Sequence, residues 1–158
     1  MVADYHLAQE QAQRYYNAAF HLRAVTFPLV KDHKLLLGVL HNVFNSIEQA
    51  ISALLTYERQ LQLVPSYYDD FQSKFNLFRY RCMRRNNIAP EFSVFILQLK
   101  ELIELQKKTP MQFQRGNRLV LSDHNYQLKV ISISEIYDFL EKNKPFLEAV
   151  NKAIRLTH

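Results

Sequence analysis

The sequence predicts a mainly α-helical protein: an antiparallel bundle of four or five helices with a small β-hairpin before the C-terminal helix. Three observations favour this fold class. Only two glycines, Gly38 and Gly116, occur in 158 residues. Apolar residues recur at helical spacing along most of the chain, and most prolines fall where helices should begin or end. A chain of this length can bury a core without cross-links, so we expect one domain over residues 1–158.

The first two predicted helices are the longest. The first covers about Ala3 to Phe27, and its apolar arc is expected to hold Leu7, Ala8, Ala12, Tyr15, Ala18, Ala19, Leu22 and Val25. The second runs from about Asp32 to Leu63, with an arc of Leu36, Leu40, Val43, Phe44, Ile47, Ile51, Leu54 and Leu55. That arc is broad enough to contact two neighbouring helices, so we expect the second helix to be the centre of the fold.

Proline positions delimit the next two helices. The third should begin after Pro65, with Ser66 as N-cap and Asp69 three residues later, and should end near Asn86–Asn87. Its apolar stripe is Phe71, Phe75, Phe78 and Cys82. The fourth should run from about Pro90 to Lys108 and bury Phe92, Phe95, Ile96, Leu99, Leu102 and Ile103.

The pattern changes after the fourth helix. Arg118–Ser122 and Tyr126–Ile133 are rich in β-branched and aromatic residues, which predicts the hairpin. Ser132 and Glu135 then form a capping box that opens a last helix ending near Leu156. Pro145 is expected to kink or split this helix.

Composition excludes several classes of function. Phosphate-binding loops, dinucleotide turns and nucleophile elbows all need glycines that this chain lacks. The single cysteine, Cys82, excludes an intrachain disulfide and a cysteine-rich metal site. We expect no metal and no cofactor. The absence of a signal-peptide pattern or a long apolar run predicts a soluble, cytoplasmic protein that does not enter the membrane.

The charges are distributed unevenly. The net charge is +5, and no acidic residue occurs between Asp70 and Glu91 or between Glu104 and Asp123. Such positive patches either attract anionic partners or form an ordinary solvated face. Within the first span, arginine can grip phosphate and tyrosine can stack on an unpaired base. A candidate nucleic-acid-binding set follows, made of Tyr80, Arg81, Arg84 and Arg85.

Two other features of the second helix stand out. Glu58 falls within its apolar arc, so a buried carboxylate there needs a partner, which Arg14 or Arg79 could supply. His41, Asn45 and Glu48 share the opposite stripe. Metal binding by His41 and Glu48 would need ligands from another helix, and a solvated face is the favoured interpretation.

Two resemblances accompany these observations. Arg14 and His21 are separated by six residues and Arg118 and His124 by five. This spacing, with the helical layout, resembles the HEPN superfamily of small helical bundles. That resemblance implies dimerisation and, in active members, metal-independent ribonuclease activity at an arginine–histidine motif. The second copy lies on the predicted hairpin, which is the wrong context for the family motif.

A second resemblance rests on two longer stretches. The segments Leu54–Arg59 and Phe71–Phe75, with Pro65 between them, are similar to small uncharacterised archaeal helical proteins. This similarity covers much of the chain and implies no function.

The sequence therefore favours a non-enzymatic interaction or adaptor module, expected to form a homodimer or bind a protein partner. Broad apolar arcs on several helices exceed what a thin bundle hides, which is the reason for this prediction. The alternative is an RNA-binding protein or a HEPN-like metal-independent ribonuclease.

Overall fold

A computed structural model describes residues 4–156, so the predicted first helical residue, Ala3, lies outside the described part. Helical segments account for most of these residues. Two of the helices include a short π-helical stretch and continue as α-helix on both sides of it. In chain order the elements are α1 (Tyr5–His21), π1 (Leu22–Thr26), α2 (Phe27–Val30), α3 (His33–Gln60), α4 (Phe71–Leu77), π2 (Phe78–Cys82), α5 (Met83–Arg85), α6 (Glu91–Lys108), β1 (Met111–Arg115), β2 (Arg118–Ser122), β3 (Leu128–Ser132) and α7 (Ile133–Leu156).

Helix α3 occupies the centre of the fold, as the sequence predicts. It packs against α1, α4, α6 and α7. The Asp32 carboxylate caps its first turn by accepting a hydrogen bond from the Lys34 backbone N–H at 3.0 Å. Each fully buried leucine or isoleucine contributes about 1.5–3 kcal/mol of hydrophobic stabilisation. Seven residues of the predicted arc are buried: Leu36, Leu40, Val43, Ile47, Ile51, Leu54 and Leu55.

The apolar arc predicted for the first helix is partly wrong. Ala12 and Ala19 are buried, whereas Leu7 and Val25 are 53% and 45% exposed. Tyr16, rather than Tyr15, packs against the core. Alanines occur on several sides of α1, so their positions do not show which side of the helix is buried. The π1 segment also departs from the regular turn of 100° on which the prediction rests.

The predicted start of the third helix is also wrong. The helix begins at Phe71, because the Asp70 carboxylate accepts hydrogen bonds from the Ser73 backbone N–H at 2.8 Å and from its hydroxyl at 2.7 Å. Ser66 therefore does not cap this helix, and Tyr67 and Tyr68 lie in an irregular segment before it. The helix ends at Asn86, close to the predicted position.

The predicted hairpin is part of a three-stranded antiparallel sheet in the order β1-β2-β3. The sequence prediction missed β1. Gly116 and Asn117 form a two-residue turn between β1 and β2, since Arg115 pairs with Arg118. Gly116 has φ +58°, which suits a residue without a Cβ.

Helix α7 begins immediately after β3. The Ser132 hydroxyl accepts a hydrogen bond from the Glu135 backbone N–H at 3.0 Å, which confirms the predicted cap. Pro145 lies inside the helix and does not split it. Among the helices of residues 4–156, none has the length and apolar character that crossing a bilayer requires.

Candidate functional site

One face of the sheet packs on the helices, and the other is an apolar surface directed away from them. Leu119, Leu121 and Ile131 belong to the hydrophobic core. Val120 is only 4% exposed but lies outside that core, because alternate residues of a strand point to opposite faces. Its cross-strand neighbours are Phe113 and Val130. These three side chains form a continuous apolar row across the sheet.

Two further rows flank the central row on this outer sheet face. Met111, Ser122 and Leu128 lie in register on one side. Arg115 and Arg118 pair on the other side, and the Arg115 guanidinium lies 5.9 Å from the centre of the Phe113 ring. Met111, Leu128 and Val130 remain 53%, 63% and 43% exposed. The outer sheet face is thus an exposed apolar surface with cations at one end.

Glu58 is a charged group within the core. Its side chain is 0% exposed, and its carboxylate forms an ion pair with Arg85. The Asn86 amide donates a second hydrogen bond to the carboxylate at 2.6 Å. Arg85 also donates to the Leu63 carbonyl at 3.1 Å. The partner is therefore Arg85, not Arg14 or Arg79, since the end of the third helix packs against the end of α3.

Cys82 lies beside this ion pair and is fully buried. Burial raises the pKa of the Cys82 thiol far above its usual value, and the neighbouring Glu58 carboxylate raises it further. The thiolate is the nucleophilic form of cysteine, so this side chain is an inert part of the core.

The predicted nucleic-acid-binding set does not form a single patch. Tyr80, Arg81 and Arg84 are exposed, and Tyr80 keeps 64% of its surface accessible. Arg85 instead turns toward Glu58. The Arg79 guanidinium lies 5.3 Å from the centre of the Tyr80 ring and adds a cation that the prediction left out.

Neither arginine–histidine pair forms a compact site within one chain. Arg14 and His21 are exposed on α1, about two turns and 10 Å apart along the helix. Arg118 begins β2, whereas His124 follows the other end of that strand, about 20 Å along the chain. The two pairs therefore remain separate surface residues, and the structure brings neither pair together.

The polar stripe of α3 is less solvated than predicted. His41, Asn45 and Glu48 are all half-buried. The His41 imidazole lies 2.7 Å from the Gln106 side-chain oxygen on α6. Burial raises the pKa of Glu48, and the nearby Lys74 and Lys107 oppose that shift. Within residues 4–156 no three His, Cys, Asp or Glu side chains are grouped to hold a metal ion.

Comparison with protein-family models, curated proteins and solved structures finds no match to this chain. The resemblances to HEPN proteins and to archaeal helical proteins stay predictions. Sequence reasoning missed the outer sheet face, although the alternation of Met111 and Phe113 with glutamines was a strand signal. It also missed the exposure of Tyr68, because it placed this residue inside a helix.

Proposed function

We propose that this protein is a non-enzymatic interaction module that self-associates through its outer sheet face. The observation that carries the proposal is the row of Phe113, Val120 and Val130, which lies in register on the side of the sheet opposite the core. With Met111 and Leu128 it leaves an apolar patch on the order of 300 Å², a size typical of functional patches on monomers.

A face-to-face arrangement is favoured over pairing of strand edges. Both edge strands carry features that discourage edge pairing: Pro110 precedes β1, and Lys129 interrupts β3. The apolar row, in contrast, lies in the middle of the face. Two sheets that pack on each other bury such rows in a layer about 10 Å thick.

The charges at the two ends of this face favour a second copy as the occupant. Arg115 and Arg118 lie at one end, and Asp123 follows Ser122 at the other, in the turn where its carboxylate accepts hydrogen bonds from the Asn125 and Gln127 backbone N–H groups. A two-fold axis that lies between the two sheets and runs parallel to the central row would place the arginines of each copy near Asp123 of the other copy. The patch is smaller than the about 800 Å² per partner of a standard interface. We therefore expect a reversible dimer with Kd in the micromolar range.

The test is sedimentation of the full chain over a range of concentrations. Val130→Glu places a charge at the β3 end of the apolar row and should shift the equilibrium to monomer by at least about tenfold in Kd. Leu128→Glu, at a more exposed position, is a second variant that should do the same. Circular dichroism checks that both variants are folded.

Leu29→Glu is the matched control, because Leu29 is 81% exposed and belongs to α2 rather than to the sheet. It introduces the same charge and should leave the dimer unchanged. A wild-type chain that remains monomeric at about 100 μM would refute the proposal. Loss of the dimer in Leu29→Glu, with retention in Val130→Glu, would move the interface to the first helical segment.

A further inference from the structure

We propose that a groove beside the third helical segment binds single-stranded RNA. The groove has a volume of about 380 Å³, within the range of ligand-binding pockets. It lies between the irregular segment that precedes α4 and the outer side of α4 and π2. Its principal side chains are Tyr67, Tyr68, Asn76, Tyr80 and Arg81. This site is separate from the outer sheet face, so the proposal does not depend on self-association.

Two tyrosine rings in the groove are unusually accessible. Tyr68 is 82% exposed and Tyr80 is 64% exposed. Tyr67, in contrast, packs partly against the core and so anchors the segment. Large aromatic rings left in water and set around one groove are typical of surfaces on which unpaired bases stack. Two such rings provide stacking positions for about two bases.

The geometry of the helix explains why Tyr80 and Arg81 face outward together. Both belong to π2, where the helix widens by one residue per turn. Phe78 and Cys82, at the two ends of π2, are both fully buried, so the three residues between them lie on the exposed side. These three residues are Arg79, Tyr80 and Arg81.

The charges favour an anionic strand over an uncharged peptide. Arg81 lines the groove, Arg79 lies against the Tyr80 ring, and Arg84 is exposed one turn further along. Among residues 4–156, none with a carboxylate side chain lines the groove. The nearest acidic side chains are already engaged: Asp69 pairs with Lys74, and Asp70 accepts hydrogen bonds from Ser73. A tyrosine-lined groove could otherwise suit a proline-rich peptide, but such a peptide brings no charge for the arginines.

Fluorescence anisotropy with a labelled oligouridine of about ten nucleotides tests the proposal. We expect binding at about 50 mM salt that weakens steeply as salt increases. Tyr68→Ala and Tyr80→Ala should each weaken binding by about tenfold or more, because each removes one stacking platform. Tyr80→Phe should retain most of the affinity, since the phenylalanine ring still stacks. Arg81→Gln should reduce the slope of log K against log salt by about 0.7.

Two matched variants on the sheet serve as controls. Tyr126 is 80% exposed in the turn before β3, so Tyr126→Ala removes an equally exposed tyrosine elsewhere. Arg115→Gln removes a cation from the outer sheet face. Neither should change RNA affinity by more than about twofold.

Three results would overturn the proposal. The first is the absence of RNA binding at low salt. The second is binding that survives both Tyr68→Ala and Tyr80→Ala but falls in Arg115→Gln. The third is that the wild-type chain binds a proline-rich peptide and does not bind RNA, and that Tyr68→Ala abolishes the peptide binding. Each of these outcomes leaves the sedimentation test of the sheet face unaffected, so the two proposals fail independently.

Discussion

The ion pair of Glu58 and Arg85 gives the sharpest prediction for stability. Arg85→Met removes the guanidinium but keeps a side chain of similar length. The Glu58 carboxylate is then left 0% exposed, with no cation beside it and only neutral donors, the Asn86 amide and the Cys82 thiol, among its described partners. The Leu63 carbonyl also loses its donor. Removal of one partner from a buried pair costs about 3–5 kcal/mol, because the other charge stays buried and unpaired.

The exposure of Arg85 sets the expected value near the lower end of that range. Its side chain is 33% exposed, so water and salt screen the outer side of the pair. We therefore expect Arg85→Met to lower the free energy of unfolding by about 3 kcal/mol. For a chain of this length that corresponds to a decrease in Tm of about 6–12 °C.

Urea denaturation followed by far-UV circular dichroism measures this loss. Arg84→Met is the matched control, since Arg84 is exposed on the same helical segment, and it should change stability by less than about 0.5 kcal/mol. The double variant Glu58→Met/Arg85→Met should be more stable than Arg85→Met alone, because no charge is then left stranded. The reasoning is refuted if Arg85→Met matches wild type, or if the double variant is the less stable of the two.

Two further predictions concern the contacts between helices and the start of α4. The Ser46 hydroxyl donates to the Ala12 carbonyl at 2.7 Å and accepts from the Asn143 amide at 3.1 Å, so it joins α1, α3 and α7. Ser46→Ala should cost about 2 kcal/mol in urea denaturation, since it leaves buried polar groups unpaired, whereas Ser134→Ala at an exposed position should be neutral. The Ser73 backbone N–H and hydroxyl hold the pKa of Asp70 below its usual value. The ionised Asp70 carboxylate therefore stabilises the folded protein above the pKa that Asp70 has in the unfolded state. This contribution is lost as the pH falls through the lower pKa of Asp70 in the folded state. Asp70→Asn should therefore flatten the dependence of stability on pH below about pH 4, and an unchanged acid titration of stability would contradict this assignment.

The sequence predicted the long elements well, because their signals are repeated many times. Helix α3 carries its apolar residues through many consecutive turns, and Asp32 marks its start. Helix α6 extends from Glu91 to Lys108, close to the predicted bounds. The Asp32 cap agrees with the hydrophobic spacing of α3, and Pro90 at the start of α6 agrees with the spacing of that helix, so local signals and tertiary packing coincide.

The missed features depend on competition between neighbouring signals. Asp70, rather than Ser66, is the N-cap, because its carboxylate accepts hydrogen bonds from both the backbone N–H and the hydroxyl of Ser73. Serine and aspartate are both common N-caps, so the sequence does not show which of the two begins the helix. Strand β1 is only five residues long and contains no β-branched residue, so its alternation of apolar residues with glutamines is a weak signal. The pairing of Glu58 with Arg85 joins residues far apart in the sequence. Sequence reasoning recognised that Glu58 needed a partner but could not choose among the arginines.

The wide turn at π2 makes this segment tolerant of a one-residue change in chain length. A π-helical turn is equivalent to one extra residue in an α-helix. Deleting one of the residues between Phe78 and Cys82 would restore regular α-helix and leave the residues that follow close to their present direction. Arg85 would then stay beside Glu58, whereas the groove would lose its present alignment of ring and guanidinium. Such a deletion should therefore change the exposed surface of π2 and spare the core.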